Sequence, residues 1–402
     1  MKKCSDFVLN MDESVTLAAA NRAKELKSEG RDIIDLTLGQ PDFPTPENIG
    51  KVAIESIQNG KASYYTQAGG LPELKKAVQN YFASFYNYEI ETNQVLITSG
   101  AKFGLYAFFQ SVLDPGDEVI IPAPYWVSYV DQVKMAKGNP IIVQATQENH
   151  FKITVDQLDA VMSDKTKVLL LNSPSNPTGM IYSEEELRTL GNWAVEHDLL
   201  ILADDIYCHL IYGDEKFTPI SSLSEEIKKR TIVINGASKT YAMTGWRIGF
   251  AVGDEEIIAA MTKFASQTTS NPTAISQYAT IEALNGDKTQ VEFMRKTFES
   301  RLNTIYPLLS EIPGFEVIKP NGAFYLFPKV KKAMEMKGFT DVTAFTTALL
   351  EDTGVALVTG AGFGSSENVR LSYSSDLTSL KEAVQRIHSW MNSSNQSTGS
   401  SN

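Results

Sequence analysis

The fold is decided by residues 168–207, which read VLLLNSPSNPTGMIYSEEELRTLGNWAVEHDLLILADDIY. Two uninterrupted apolar runs, Val168–Leu171 and Leu199–Ala203, have the length and composition of fully buried strands. Between them, Ser183-Glu184-Glu185-Glu186 is a capping box, which predicts the start of a helix. A buried strand, a helix and a second buried strand form the unit from which parallel sheets are built. The stretch therefore predicts an α/β fold.

The same alternation of apolar runs and helical stretches extends to both sides of this unit. Further strands are predicted at 95–97, 118–121, 140–143 and 232–234. Several of these runs are uninterrupted, which is typical of strands buried on both faces of a mostly parallel sheet. We therefore expect residues 46–290 to form a large domain in which helices cover both faces of that sheet.

The flanking residues predict a smaller α+β domain. Its N-terminal segment is residues 1–45, with an amphipathic helix at 12–30 and a short strand at 32–36. Its C-terminal part is residues 291–392, where a long helix from about 287 to 309 leads into short apolar segments at 315–318, 323–326 and 368–373. Residues 393–402 contain only Ser, Asn, Gln, Thr and Gly, and we expect this tail to be disordered.

The charge balance limits the classes of partner. The chain of 402 residues has 48 acidic and 36 basic residues, a formal net charge of −12, which disfavours binding to nucleic acid and to anionic membranes. Two cysteines cannot build a disulfide framework, and the four histidines show no metal-ligand spacing. No apolar run approaches the length of a membrane span. We expect a cytoplasmic protein without a metal site, in which local cations hold any anionic ligand.

Lys239 is the most informative single residue. It lies in the sequence SKTYAMTGWR, residues 238–247, after the apolar run 231–234 and a Gly-Ala turn. A lysine in such a desolvated position loses its charge readily and can form an imine with a carbonyl compound. Arg247 then offers a forked donor to a phosphate group. An imine-forming lysine beside a phosphate-binding arginine is what pyridoxal phosphate requires, although a helix with an ordinary Lys and Arg explains these two residues equally well.

Three further junctions carry candidate chemistry, because ligands of parallel α/β folds bind beyond the carboxyl ends of the strands. Asp204 follows the run 199–203 and can keep a pyridine nitrogen protonated, and Tyr207 adds a phenol nearby. Asn176, in a proline-rich loop, offers a fixed amide to a phenolate oxygen. The turn Gly100-Ala101-Lys102 begins a helix whose free N–H groups form a phosphate seat. The alternatives are a helix cap at Asp204 or Asp205 and plain turns at the other two junctions.

Two more residues are candidates for ligand contacts. Trp126 offers an aromatic face to a planar ring, although buried packing is the commoner fate of a tryptophan. Arg370 lies between Val369 and Leu371 in an apparent strand, where an unpaired cation is costly. It either forms an internal salt bridge or grips a substrate carboxylate in a bidentate manner.

Taken together, the order and spacing of these motifs resemble one family. From about Leu36 to Met391 the sequence resembles the class I aminotransferases of the fold type I pyridoxal phosphate superfamily, most of all the prokaryotic aspartate aminotransferase subgroup. The resemblance is carried by the stretches 124–129, 176–179, 204–207 and 238–249. It implies a large domain with a seven-stranded, mostly parallel sheet between helices, pyridoxal 5'-phosphate as the cofactor, and a homodimer with shared active sites.

The resemblance also implies a role for each site residue. Lys239 binds the cofactor covalently and moves the proton at the substrate Cα, while Asp204 pairs with the ring nitrogen. Asn176 and Tyr207 bind the ring oxygen, and Trp126 stacks on the ring. Other cofactor contacts are implied for Gly100, Ala101, Lys102, Ser238, Arg247 and, from the second subunit, Tyr65. Substrate contacts are implied for Gly39, Trp126, Asn176 and Arg370.

The implied activity is the movement of an amino group between an L-amino acid and 2-oxoglutarate, with aspartate as the expected donor. Animal-type aspartate enzymes hold the second substrate carboxylate with an arginine that is missing from residues 265–272, ASQTTSNP, and Lys102 is the substitute we consider. Aromatic amino acids and alanine are alternative donors, and a cystathionine β-lyase is an alternative reaction. A ligand-sensing regulator is disfavoured because the sequence has no basic patch for DNA.

Overall fold

The computed structural model describes residues 2–9, 11 and 15–393. The chain divides into two compact units. The larger unit consists of Gln40–Lys296 and Asn321–Ala323, and the smaller one of the chain up to Gly39, Thr297–Pro320 and the chain from Phe324 onward. The domain limits at 45/46 and 290/291 stay a prediction, and the predicted disordered tail lies, apart from Ser393, outside the described residues.

The strands are short and most are apolar. They are β1 Ile34–Asp35, β2 Val95–Thr98, β3 Glu118–Ala123, β4 Asn139–Gln144, β5 Thr166–Asn172, β6 Leu200–Asp204, β7 Thr231–Gly236, β8 Gly249–Val252, β9 Tyr325–Leu326, β10 Val355–Ala356, β11 Val358–Thr359 and β12 Val369–Ser372.

The α-helices alternate with these strands through most of the chain. They are α1 Asp6–Leu9, α2 Val15–Ser28, α3 Glu47–Gln58, α4 Pro72–Tyr81, α5 Ala101–Val112, α6 Ser128–Met135, α7 Val155–Asp159, α8 Glu184–Glu196, α9 Glu225–Arg230, α10 Glu255–Thr268, α11 Ala274–Asn285, α12 Thr289–Ser310, α13 Lys331–Lys337, α14 Val342–Thr353 and α15 Leu377–Asn392. A π-helical turn, Phe82–Tyr86, follows α4.

The larger unit contains a seven-stranded sheet in the order β2-β8-β7-β6-β5-β3-β4. The neighbouring pairs among β3 to β7 are parallel, and β8 runs antiparallel to both β2 and β7. The predicted mostly parallel sheet is therefore confirmed. Strand β8 was not predicted, because its four residues begin with glycine and follow the polar segment 238–247 without a turn signal.

Both faces of this sheet are buried, which explains the uninterrupted apolar runs. Leu169 and Leu171 pack in one hydrophobic cluster, whereas Val168 and Leu170 belong to another. Successive side chains of a strand point to opposite faces, so the two clusters cover the two sides of the sheet. The predicted capping box begins α8: Ser183 Oγ accepts from Glu186 N at 3.3 Å, and Glu186 Oε2 accepts from Ser183 N at 2.7 Å.

The smaller unit has the predicted α+β character. It contains a three-stranded antiparallel sheet in the order β11-β12-β9 and a parallel pair of β1 with β10. The short segment at 315–318 forms only an isolated bridge between Glu316 and Lys329. Pro320 closes the segment, and a proline has no N–H to extend a ladder. The helix predicted at 12–30 is α2.

No helix in the described part of the chain is long and apolar enough to cross a membrane. Within residues 2–9, 11 and 15–393, no group of three or more His, Cys, Asp or Glu side chains is arranged to hold a metal ion.

Candidate active site

Asp204 is a buried carboxyl at the C-terminal end of β6. Its side chain is 4 % exposed and accepts a hydrogen bond of 2.6 Å from the phenol of Tyr129 and one of 3.3 Å from the backbone N–H of Ile206. Burial raises the pKa of Asp204 from 3.8 to about 6, while the two hydrogen bonds and the charge of Lys239 oppose this shift. A cation bound next to this carboxyl would favour its ionised form and lower its pKa again.

Asn172 joins Asp204 to the loop that carries Asn176. Asn172 is the register partner of Asp204 in the β5–β6 pair, and its Nδ2 donates to the Asp204 carbonyl oxygen at 2.9 Å. Its Oδ1 accepts from the backbone N–H of Asn176 at 2.8 Å. One amide side chain thus fixes the main chain at both residues, and the Asn176 side chain is 6 % exposed.

Lys239 follows β7, which is the neighbour of β6 in the sheet. Its Nζ lies 5.8 Å from the centroid of the Tyr207 ring, which is 2 % exposed. Ser238 is also buried, whereas Lys239 is only half-buried. The structure therefore brings the amine, the phenol of Tyr207 and the carboxyl of Asp204 into one neighbourhood.

The predicted phosphate seat lies at the N-terminus of α5. No described side chain caps this helix, and its N-cap, Gly100, has φ +84°. A Cβ atom at Gly100 would lie 2.3 Å from Nη2 of Arg247, so only glycine lets the guanidinium approach the helix. At Gly249, in β8, a Cβ atom would lie 2.4 Å from the backbone nitrogen of Ala101. The first N–H groups of α5, which have no acceptor within the helix, and a guanidinium therefore converge on a space that is kept open by glycines.

Trp126 contacts Tyr129, the residue that donates to Asp204, and Lys102 lies beside Trp126. The Trp126 ring meets the Tyr129 ring edge-on at 5.4 Å, and Lys102 Nζ lies 5.1 Å from the centroid of the Trp126 ring. The pKa of Lys102 is lowered, mainly because neighbouring atoms remove water from the ammonium group and further because of the charge of Arg247. Two cations, Lys102 and Arg247, thus face the same region.

Tyr65 extends from the surface of the larger unit and is 93 % exposed. Together with Tyr64 and Tyr278 it lines a surface cleft of about 390 Å³. Apolar residues nearby are also exposed, including Ile54 and Ile57 of α3 at 55 % and 57 %.

Arg370 and Gly39 belong to the smaller unit. Arg370 is 1 % exposed, and its Nη2 donates to the carbonyl oxygen of Thr37 at 2.7 Å. Its guanidinium lies 4.5 Å from the centroid of the Tyr325 ring and 5.0 Å from that of Phe363. A Cβ atom on Gly39 would lie 3.2 Å from the Tyr325 hydroxyl oxygen. Tyr325 therefore lies close to Gly39 through its hydroxyl and to Arg370 through its ring.

Two site residues were not assigned a role from the sequence, Tyr129 and Asn172. Tyr129 lies three positions after Trp126 at the start of α6, and Asn172 is the last residue of β5. The signal for Asn172 was its position directly after the apolar run 168–171, and the structure adds its register with Asp204. For Tyr129 the sequence offers only its place in the stretch 124–129, because only the folded chain brings α6 to the end of β6.

The chain is similar over nearly its whole length to known transaminases. Residues 31–387 match the family described as aminotransferase class I and II. An asparagine–oxo-acid transaminase of Streptococcus mutans is 63 % identical, over 97 % of this chain and 100 % of that protein. An aspartate aminotransferase of Bacillus subtilis is 52 % identical, over 96 % of this chain and 98 % of that protein.

The fold is similar to that of solved structures as well. The aspartate aminotransferase of Thermus thermophilus with maleate superimposes with a TM-score of 0.92 at 36 % identity, over 97 % of this chain and 100 % of that chain. The expected fold type I architecture is therefore confirmed, together with the expectation of an enzyme that transfers amino groups. The chain belongs to the class I and II aminotransferases.

Proposed function

We propose that this enzyme moves the amino group of L-aspartate to 2-oxoglutarate, with pyridoxal phosphate as its cofactor, in two half-reactions. The observation that carries the proposal is the buried carboxyl of Asp204, held by Tyr129 at the end of β6, in the neighbourhood of the Lys239 amine. In the first half-reaction the donor leaves as an oxo acid. In the second, another oxo acid takes the amino group.

The residues of the site fit this cofactor. Its phosphate requires N–H donors and a cation, and the space between Gly100 and Arg247 would be filled by a single added Cβ. Its ring nitrogen requires an anion, and Asp204 has no ion-pair partner among the described residues although it is buried. Its aldehyde requires an amine, which Lys239 provides. When bound, pyridoxal phosphate accepts the electron pair released at the substrate Cα.

In the proposed reaction, each of these side chains of the larger unit has a separate role. Lys239 Nζ takes the proton from the substrate Cα and would pass it to the cofactor within the same half-reaction, and in the second half-reaction it would move a proton in the opposite direction. Asp204 keeps the proton on the ring nitrogen, while Asn176 and Tyr207 donate hydrogen bonds to the ring oxygen. Trp126 packs against the face of the ring. The phosphate is held by Ser238, Arg247 and the turn Gly100-Ala101-Lys102, in which the Gly100 N–H already donates to the Thr98 carbonyl oxygen and the N–H groups of Ala101 and Lys102 face the phosphate.

We further propose that Arg370 binds the α-carboxylate of the substrate near the Gly39 backbone. Its support is a guanidinium fixed between two aromatic rings, which leaves little rotamer entropy to lose on binding. Lys102 is proposed to bind the second carboxylate, since it is a cation beside Trp126.

Asparagine is the second candidate donor. The Streptococcus mutans relative is named for asparagine and the Bacillus subtilis relative for aspartate, and the Thermus thermophilus structure contains maleate, a dicarboxylate. A lysine ammonium can donate to a carboxylate or to an amide oxygen, with a stronger bond to the carboxylate. The charge of Lys102 therefore favours aspartate.

A homodimer completes the proposal. Tyr65 is the phosphate ligand that the second subunit is expected to supply, and its almost complete exposure supports a role outside its own unit. The exposed apolar side chains Ile54 and Ile57 support an interface on the same surface.

The test measures kcat/KM for a panel of amino donors with 2-oxoglutarate as the acceptor, in the wild type and in the variant Lys239→Ala. Aspartate should give the largest kcat/KM, followed by asparagine, with alanine, aromatic donors and cystathionine below them. The variant Lys239→Ala should lose the absorbance of the covalently bound cofactor and nearly all turnover. Pyruvate released steadily from cystathionine alone would instead indicate a lyase, and an unchanged absorbance in the variant would contradict the role of Lys239.

A further inference from the structure

A second buried carboxyl follows Asp204 directly in the chain. Asp205 is 5 % exposed, and its backbone N–H donates to the Ile234 carbonyl oxygen on β7 at 2.9 Å. Its Oδ2 accepts a hydrogen bond of 2.9 Å from the hydroxyl of Tyr86. The proposed reaction uses Asp204 and leaves Asp205 without a role.

Tyr86 links Asp205 to the neighbouring strand. Its hydroxyl accepts a hydrogen bond of 3.0 Å from Asn235 Nδ2, at the end of β7, while it donates to Asp205. Asn235 Nδ2 also donates to Cys208 Sγ at 3.3 Å, and its Oδ1 accepts from the Gly236 N–H at 2.7 Å. The amide is thereby oriented, so Tyr86 is the acceptor toward Asn235 and its own hydroxyl hydrogen is available to Asp205.

Tyr86 itself is held rigidly. It is fully buried, and its ring stacks on the ring of Phe82 with centroids 4.1 Å apart and planes at 11°. The Tyr86 hydroxyl, which donates to Asp205, therefore has a fixed position relative to the sheet.

In the described part of the chain, the groups that act on the charge of Asp205 are acidic or neutral. The groups that interact electrostatically with Asp205 are a second carboxyl, phenols and a thiol: Asp204, Tyr81, Tyr86, Tyr88, Tyr129 and Cys208. No described Lys, Arg or His forms an ion pair with it. An isolated buried carboxylate is costly, and a like charge one residue away increases the cost.

We propose that Asp205 is a positioning residue for Asp204. As a neutral acid that accepts from Tyr86, which in turn accepts from Asn235, it fixes the ends of β6 and β7 and leaves Asp204 as the single anion there. The proposal rests on the proposed role of Asp204 opposite the cofactor ring. The main chain of Asp204 is then held from both sides, by Asn172 from β5 and through the Asp205 N–H from β7. Two adjacent carboxyls with different surroundings thus take different protonation states.

The charge state is tested with Asp205→Asn, because the amide has nearly the same shape as the protonated acid. Asp159→Asn is the matched control, since Asp159 also accepts from an aromatic donor, Trp193 Nε1 at 2.6 Å, at a distant position. The wild type should show the infrared carbonyl band of a protonated carboxyl at neutral pH. Asp205→Asn should lose this band and the control should keep it. A wild type and a variant with identical bands would overturn the proposal.

The pH dependence of stability gives a second readout. Burial raises the pKa of Asp205 from 3.8 to about 8, with Asp204 adding to the shift and the Tyr86 hydrogen bond opposing it. The folded chain therefore keeps a proton that the unfolded chain loses, and the wild type loses stability relative to Asp205→Asn as the pH rises from about 4 to about 8. The thermal midpoint of the wild type minus that of Asp205→Asn should fall as the pH rises over this range and level off above it. A difference that stays constant would overturn the neutral acid.

Cofactor affinity separates positioning from packing. Asp205→Asn can still accept from Tyr86, so its dissociation constant for pyridoxal phosphate should stay within about threefold of the wild type. Asp205→Leu and Tyr86→Phe remove the bond and should weaken affinity by roughly tenfold. Equal affinity in Asp205→Leu and the wild type would overturn the positioning role. If Asp204→Asn has normal affinity, the proposed function fails instead, whatever the infrared result for Asp205.

Discussion

Tyr129 donates its phenolic hydrogen to Asp204 Oδ2 over 2.6 Å, and this bond joins helix α6 to the end of strand β6. Burial keeps the pKa of the Tyr129 phenol well above its ordinary value, so the phenol keeps its hydrogen and remains a donor at neutral pH. The Tyr129 ring also meets Trp126 edge-on. One residue therefore aligns the carboxyl and the aromatic face that are proposed to contact the same cofactor ring.

Tyr129→Phe should weaken cofactor binding. The variant removes the hydrogen bond that lowers the pKa of Asp204, so less of the carboxyl is ionised. A hydrogen bond to a charged group contributes about 1.5–3 kcal/mol, which corresponds to a roughly tenfold to hundredfold larger dissociation constant for pyridoxal phosphate. Titration of the cofactor-free protein by absorbance measures it. Tyr182→Phe, which changes a buried phenol that accepts from Ile153 N, is the control and should bind normally.

The pH dependence of cofactor affinity should report Asp204. Its folded-state pKa of about 6 lies above the ordinary 3.8, so in the cofactor-free protein the carboxyl becomes an anion only as the pH rises through about 6. The affinity advantage of the wild type over Asp204→Asn should grow as the pH rises and level off above about 6. An advantage that is independent of pH would show that the charge of Asp204 is not what holds the cofactor.

Gly100→Ala should damage the phosphate seat. The new Cβ would lie 2.3 Å from Arg247 Nη2, and φ +84° strains any residue with a side chain. The backbone strain lowers stability by about 1–3 kcal/mol. Displacement of Arg247 from the phosphate removes a charge-assisted hydrogen bond and predicts a roughly tenfold to hundredfold loss of affinity for pyridoxal phosphate.

The matched control for this variant is Gly116→Ala. Gly116 has a similar φ of +97°, but a Cβ there meets nothing within 4 Å. It should lose stability without losing cofactor affinity. Equal affinities in the two variants would mean that the contact between position 100 and Arg247 is irrelevant to binding.

Lys102→Met should change donor preference. Loss of the cation should raise KM for aspartate by about tenfold and KM for asparagine by less, because a carboxylate forms the stronger bond with an ammonium group. Steady-state kinetics with both donors measures the ratio. Lys134→Met, an exposed lysine of α6, should leave the ratio unchanged. Parallel changes for both donors would remove Lys102 from the recognition of the second carboxylate.

Arg370→Lys should weaken amino acid binding more than it weakens cofactor binding. Lysine keeps the charge but lacks the planar fork that packs between Tyr325 and Phe363. KM for the donor should rise by roughly tenfold or more, while the affinity for pyridoxal phosphate is unchanged. Arg301→Lys, at another buried arginine of the smaller unit, controls for loss of packing. A normal KM in Arg370→Lys would exclude a bidentate grip.

The buried strands were predictable because their apolar runs are local in the sequence. Six of the seven strands of the large sheet, all but β8, overlap predicted runs, and the capping box marks the start of α8. Lys239, Asp204 and Asn176 were predicted as site residues because parallel strands place their carboxyl ends on one edge, and their roles stay predictions. The cytoplasmic location, the dimer and the domain limits stay predictions.

The sequence by itself determined which residues carry reactive groups and that they follow buried parallel strands, since both follow from local composition and periodicity. Only the tertiary structure decided the partners of those groups: Tyr129 on Asp204, Tyr86 on Asp205, and Arg247 against Gly100. These pairs join residues that are 75, 119 and 147 positions apart. The protonation of a carboxyl depends on burial and on neighbours that are distant in the sequence. The different protonation states inferred for Asp204 and Asp205 therefore cannot be predicted from the sequence of these two residues alone.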